Sequence, residues 1–193
     1  MSEVPSINSN VYPDVPMVTR RRDSVINYGQ LSDVRKQNMA SRVARVFLLS
    51  PSQDRVLLQL RNDSSGNPSA WDCSAEGWVY STDVSATGEC GDYKMAALRE
   101  TNEELGLVYD SEQMTEIGHY LLDIAGINPA EWTKLYAATY DMGQQDRVKL
   151  SDEVSDVKWF NVVDAYDWAQ NEPEVFEAGA PLALSYLSQY SAQ

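Results

Sequence analysis

Three glutamates, Glu100, Glu103 and Glu104, fall at i, i+3 and i+4 within the run YKMAALRETNEEL of residues 93–105. This composition favours a helix, with Asp92 placed as N-cap and Gly106 as the residue that ends it. At about 100° per residue, the helix gathers the three carboxylates on one side and sets Met95, Leu98 and Leu105 on the other. Like charges at these spacings cost an isolated helix roughly 0.2–0.5 kcal/mol per pair. A hard divalent cation removes that repulsion, since Mg²⁺ or Mn²⁺ takes oxygen ligands, commonly carboxylates completed by water and substrate phosphate. The alternative is a solvated glutamate-rich face that binds nothing.

Other chemistries are short of parts. The chain has one histidine, His119, and two cysteines, Cys73 and Cys90, whereas zinc sites and Ser-His-Asp or Cys-His catalysis need more ligands or a well-placed imidazole. His119 lies in the strand-like IGHYLLDI and reads as a structural or edge residue. The cysteines read as free thiols. Lys and Arg number 15 against 29 Asp and Glu, a net charge of −14, which disfavours nucleic acid and anionic membranes as partners. No uncharged apolar run approaches the roughly 18–20 residues of a bilayer span, and MSEVPSINSN carries neither the basic nor the apolar part of a signal peptide. A cytoplasmic protein is the expectation.

RVARVFLLS and RVLLQLR read as a hairpin across the turn at Pro51, and NDSSGNPS (62–69) reads as a loop. WDCSAEGWVY is strand-like before a second polar loop. Further strand-like runs lie at 114–124, 133–142 and 154–160, with helical stretches near 162–170 and 180–190. Strands and helices interleave without regular βαβ alternation, so the fold class expected is α+β with a mixed β-sheet flanked by helices. Residues 1–38, which include the basic triplet Arg20, Arg21 and Arg22, read as an extension or edge element preceding one domain over 39–193.

The order Arg99-Glu100-Thr101-Asn102-Glu103-Glu104-Leu105-Gly106-Leu107 resembles the second half of the Nudix box, G-x5-E-x7-R-E-U-x-E-E-x-G-U with U apolar. Six of its seven specified positions are met, Thr101 being the exception. In the first half, the places of the box glutamate and glycine hold Gly91 and Ser85. Gly77, in Ala75-Glu76-Gly77-Trp78-Val79, matches the start better, which makes residues 80–91 carry an eight-residue insertion and leaves Glu89 as a replacement for the box glutamate. The likeness continues in Arg55–Arg61, in Glu153-Val154 with Trp159-Phe160, and in Trp71 with Pro173-Glu174-Val175-Phe176. These are similar to the branch that includes isopentenyl-diphosphate isomerase.

The resemblance implies a Nudix-type α/β/α sandwich and a hydrolase that cleaves a diphosphate linkage in a nucleoside diphosphate derivative or related small organic diphosphate, using Mg²⁺ or Mn²⁺. It implies Glu103 and Glu104 as metal ligands, Glu100 as ligand or base, the Gly77 carbonyl as a further ligand, Arg99 as the residue that orients the acids, and Glu153 as a distal ligand or base. Arg61 is a candidate for substrate phosphate, and Trp78 and Tyr80 for stacking on a base. Two alternatives stand beside it: a Nudix-fold binding or regulatory module without turnover, and an isomerase, which Glu76 and Trp78 disfavour because they occupy the isomerase's cysteine and histidine places. A homodimer is compatible with the sequence.

Overall fold

The structure is a computed structural model, and it describes residues 12–62, 69–125, 127–140 and 147–192. In chain order these form β1 (Val15–Thr19), β2 (Arg22–Gly29), α1 (Leu31–Lys36), β3 (Ala40–Leu49), β4 (Arg55–Arg61), β5 (Trp71–Asp72), β6 (Ala75–Trp78), α2 (Tyr93–Leu105), β7 (Thr115–Leu122), β8 (Ala130–Thr139), β9 (Val154–Asn161), α3 (Val162–Asn171) and α4 (Ala180–Ser191). The NDSSGNPS loop falls mostly outside the described residues.

β3 is the spine of a mixed sheet. Along one edge it pairs in parallel with β8, from Ala40↔Ala130 to Leu49↔Thr139. Three strands share the other edge: β1 at Ala40, β6 over Val43–Val46 and β4 at Leu48 and Leu49. β7 extends the sheet beyond β8, and β9 beyond β4. Alternate side chains serve opposite faces. Ala44, Val46 and Leu48 pack with Tyr93, Ala96, Ala97 and Leu105 of α2, while Phe47 and Leu49 pack with Ala165 and Ala169 of α3 and Leu184 and Leu187 of α4. Burial on both faces explains why β3 reads as a nearly continuous apolar run. The result is the expected α/β/α sandwich.

Local chemistry delimits α2. The Asp92 carboxylate accepts the Met95 N–H at 2.9 Å, and Gly106 ends the helix at φ +67°. Two carbonyls of the last turn are met from outside, Leu105 by the Lys149 N–H and Glu104 by the Ser151 N–H. The helix is rotated from the expected setting. Met95 and Leu98 are only partly buried and line an outward groove with Val108 and Tyr109. The face that meets the sheet is Tyr93, Ala96, Ala97, Thr101 and Leu105, and Glu100 and Glu104 are buried beside it at 8% and 5% exposure. Small alanines let the helix backbone approach the strands, which carries the glutamates inward.

The segment before residue 39 is built onto the sheet. β1 and β2 pair with each other, and Val15, Met17 and Val34 bury together against Leu31, Met39, Trp78 and Tyr80. Arg20 pairs with Asp123 at 2.7 Å, a partner within the acidic body. At the other end, Trp71, Phe160, Trp168 and Phe176 form an aromatic cluster, which is what the Pro173–Phe176 segment contributes. His119 on β7 bonds Asp23 on β2 at 2.9 Å, a pin between strands. Neither cysteine is in a disulfide.

Candidate functional site

A cleft of about 810 Å³ opens between the glutamate side of α2, the end of β6 and the N-terminal segment. Glu104 is held by neutral donors: its Oε2 accepts the Gln59 side-chain amide at 3.3 Å and the Glu76 backbone N–H at 3.0 Å. Burial, followed by the charge of Glu100, raises the Glu104 carboxyl well above its ordinary pKa. Burial pushes Glu100 up to about 7, against the opposing pull of Arg99, which donates to it at 2.6 Å. Glu103 is exposed and accepts from the same guanidinium at 3.0 Å. Gly77 lies against Glu100 so closely that a Cβ there would collide with the carboxylate. Glycine is needed here for approach.

Arg99 is the hub. Its Nε and Nη2 donate to the two carboxylate oxygens of Asp83 at 2.9 and 3.1 Å, its Nη2 also reaches the Trp78 carbonyl at 2.8 Å, and the guanidinium lies over the Tyr80 ring. Asp83 additionally accepts the Tyr80 N–H at 2.7 Å. This corrects the expectation for Glu89, which is exposed in a turn where its backbone N–H bonds Ser85 Oγ. Asp83, buried and bidentate, is the acid of residues 80–91 that pairs with Arg99. It is one of two acids within residues 80–91, and residue type marked both; the path of the insertion, which spacing does not encode, selects between them.

The remaining candidates line the same cleft. Arg61 is ion-paired with Asp72 at 3.0 Å. Trp78 packs on the Val15–Met17–Val34 cluster while its carbonyl holds Arg99. Glu153 is exposed on the cleft wall, and its backbone carbonyl accepts the Asn62 N–H at 2.8 Å. Arg61, Gly77, Trp78, Arg99, Glu100, Glu103, Glu104 and Glu153 are thus brought together. Gln59, fully buried on β4, has no local signal in the sequence, since an amide in an apolar strand looks like any other polar residue there.

A second charged cluster stands behind the first. Arg45, fully buried on β3, donates to Glu76, to Glu131 at 3.3 Å, to Glu177 at 3.2 Å and to Thr133 Oγ1 at 3.1 Å. Asp72 joins through Arg61. Burial raises the carboxyls of Asp72, Glu76 and Glu131. Oxygens of Asp72, Glu76 and Glu177 lie within 4.8 Å of one another, but Arg45 and Arg61 already supply the positive charge there. Sequence marks this cluster only by an arginine, Arg45, set among the apolar residues of β3.

The cleft-side acids fit a hard divalent cation. Glu100 and Glu103 share one guanidinium with Asp83, and Glu104 is met by neutral groups, so negative charge is left over on oxygen donors beside the Gly77 backbone. The NUDIX domain family matches residues 39–179. Among solved structures, the chain is similar to DR0079 from Deinococcus radiodurans, with 17% identity over 89% of this chain and 97% of that one and a TM-score of 0.65. It is also similar to a C. elegans Ap4A hydrolase in a binary complex (23% identity, 78% and 97% coverage, TM-score 0.51). A third is the Nudix domain of Shewanella oneidensis NrtR complexed with ADP ribose (16% identity, 77% and 86% coverage, TM-score 0.54). At these identities the likeness is one of fold. No curated protein sequence matches the chain. With the family match spanning most of its length and the box residues gathered in one cleft, the chain belongs to the Nudix family.

Proposed function

We propose that this cleft hydrolyses a diphosphate linkage in a nucleoside diphosphate derivative or related small organic diphosphate. The observation that carries the reading is the carboxylate gathered along one side of the cleft: Asp83, Glu100 and Glu103 share the Arg99 guanidinium, and Glu104 beside them accepts hydrogen bonds from neutral donors. Glu103 and Glu104, with the Gly77 carbonyl and with Glu100 or Glu153, would hold Mg²⁺ or Mn²⁺. Such a cation, when bound, neutralises diphosphate oxygens and acidifies water. Water adds to one phosphorus as the bridging P–O bond breaks. Glu100, whose carboxyl is tuned to about 7 by burial, accepts the water proton. Arg99 stays protonated and fixes the acids in place, and Arg61, which lines the same cleft, is the residue that would meet the phosphate.

The isomerase alternative loses ground. Glu76 stands at the isomerase's cysteine place, and its carboxylate is spent on Arg45; Trp78 at the histidine place packs into an apolar cluster. Against the binding-module alternative stands the full set of box acids, Glu100, Glu103 and Glu104, lining one cleft with Arg99 held by Asp83. The test is a panel of nucleoside diphosphate derivatives and simple organic diphosphates incubated with Mg²⁺ or Mn²⁺, with products separated by chromatography. The expected result is metal-dependent release of a phosphate monoester or inorganic phosphate from at least one class. No cleavage of any compound with either metal overturns the reading.

A further inference from the structure

Asp23 sits near the start of β2 and lies outside the stretch that the family match covers. Its carboxylate, only 10% exposed, is shared among three other elements. Oδ1 accepts Arg42 Nε of β3 at 2.8 Å, and Oδ2 accepts the hydroxyl of Tyr93, the first residue of α2, at 2.8 Å. His119 Nε2 of β7 lies 2.9 Å from the same Oδ2. Hydrogen bonds to an ionised group in a partly buried setting are strong ones. The hairpin of β1 and β2 has other anchors: Val15 and Met17 bury with Val34, Arg20 pairs with Asp123, and Ser41 Oγ donates to the Pro16 carbonyl at 2.9 Å. What Asp23 adds is a hold on the start of α2.

Its partners grip the residues on which that helix begins. Arg42 Nη1 donates to the Gly91 carbonyl at 2.9 Å, and its guanidinium lies 4.9 Å from the centroid of the Tyr93 ring. From β2 itself, the Tyr28 hydroxyl donates to the Cys90 carbonyl at 3.0 Å. Gly91 has a φ of +69°, and a Cβ there would press on the Tyr28 hydroxyl and on Pro16 of β1, so glycine serves both the turn and the close approach. From this point the bonding leads into the cleft. The Asp92 N–H donates to the Asp83 carbonyl at 2.9 Å. The Asp83 carboxylate takes two donors of Arg99, whose Nη1 reaches Glu100 and Glu103. A continuous path of hydrogen bonds and backbone thus joins Asp23 to the acids of the cleft.

We infer that Asp23 is a positioning residue for the cleft: through Arg42 and Tyr93 it fixes where the insertion ends and α2 begins, and so holds Asp83 against Arg99. The inference rests on the hydrolase reading for its turnover measurement alone. The first test is amide hydrogen exchange, followed by mass spectrometry in chelator, for wild type, Asp23→Ala and Arg20→Ala. Asp23→Ala should speed exchange over residues 80–96 about tenfold and leave β4 and β9 within about twofold, while Arg20→Ala, which cuts a different anchor of the hairpin, should move neither. If Asp23→Ala does not fold, Asp23→Asn, which keeps one acceptor oxygen, is judged by the same criteria. The second test uses the diphosphate compound that wild type cleaves fastest. The Mg²⁺ concentration for half-maximal cleavage should rise about tenfold in the Asp23 variant, a shift that a purely structural anchor would not produce. Exchange over 80–96 that is unmoved, that rises equally in β4 and β9, or that Arg20→Ala raises as much, overturns the inference, as does an unmoved Mg²⁺ requirement; each leaves the hydrolase reading intact. If wild type cleaves no compound, the hydrolase reading fails separately and the exchange comparison alone decides the role of Asp23.

Discussion

Arg45 and Arg99 each stand among carboxylates on either side of β6, and the two surroundings end differently. Arg45 has no exposed surface, and its guanidinium is divided among Glu76, Glu131 and Glu177, with a further donor on Thr133. Gly179 backs onto it so tightly that a Cβ would strike the guanidinium. Arg99 borders a cleft, gives two donors to Asp83, and leaves Glu100, Glu103 and Glu104 with more charge than it can answer. The enclosed cluster carries its cation in the chain; the open one has room for a cation from solution. Glu76 joins them, its side chain on Arg45 and its backbone N–H on Glu104.

The largest expected effect breaks the enclosed cluster. Arg45→Met leaves Glu76, Glu131 and Glu177 buried without their cation, and removal of one partner from a buried ion pair costs about 3–5 kcal/mol. Urea unfolding should show that loss; a change under about 1 kcal/mol would mean that the acids there are not held as charges.

Next in size is the open cluster. Glu104→Gln and, separately, Glu103→Gln should each lower turnover about 100-fold or more, in the range of a lost transition-state contact, while leaving the fold in place. Glu103 is exposed, so its loss costs no packing, and a neutral side chain at the buried Glu104 relieves repulsion from Glu100. Near-wild-type turnover at saturating metal in either variant contradicts the assignment of this face. The contrast with Arg45→Met is the point: one cluster should answer in stability, the other in activity.

The smallest effect is a tilt of stability with pH in the metal-free protein. Burial raises the Glu100 carboxyl to about 7, so the folded state binds this proton more tightly than the unfolded chain does. Its contribution is complete below the unfolded carboxylate pKa and is lost as pH rises through about 7. A decline on the order of 1 kcal/mol between pH 5 and 8 is expected in chelator, reduced in Glu100→Gln. Asp72 in the enclosed cluster shifts in the same direction, so part of the slope should survive that variant. Stability that rises across this window would refute the burial account of Glu100.

The parts of the site that were legible in the sequence are those set by local chemistry. Asp92 and Gly106 delimit α2 because capping involves neighbouring backbone groups, and the spacing of Glu100, Glu103 and Glu104 puts them together on any helix. The rotation of that helix was not legible. Met95 and Leu98 are as apolar as a core demands, but Ala96 and Ala97 permit a closer approach, and the distance between helix and sheet settled which face went in. Asp83 was hidden for a related reason, since its nearness to Arg99 depends on how the insertion folds back. Gln59 and Arg45 act across strands, where sequence separation carries no signal. The N-terminal segment was least legible: β1 is five residues long with a proline in it, and its burial comes from Leu31, Trp78 and Tyr80.

On the function proposed, the open cluster shares a divalent cation with a diphosphate. Calorimetric titration with Mg²⁺, with and without a non-hydrolysable diphosphate analogue, tests it most directly. Weak binding alone and distinctly tighter binding with the analogue are expected, with an equal gain in the analogue's affinity when Mg²⁺ is present. Mg²⁺ binding that the analogue leaves unchanged, or no binding in either case, would contradict the account.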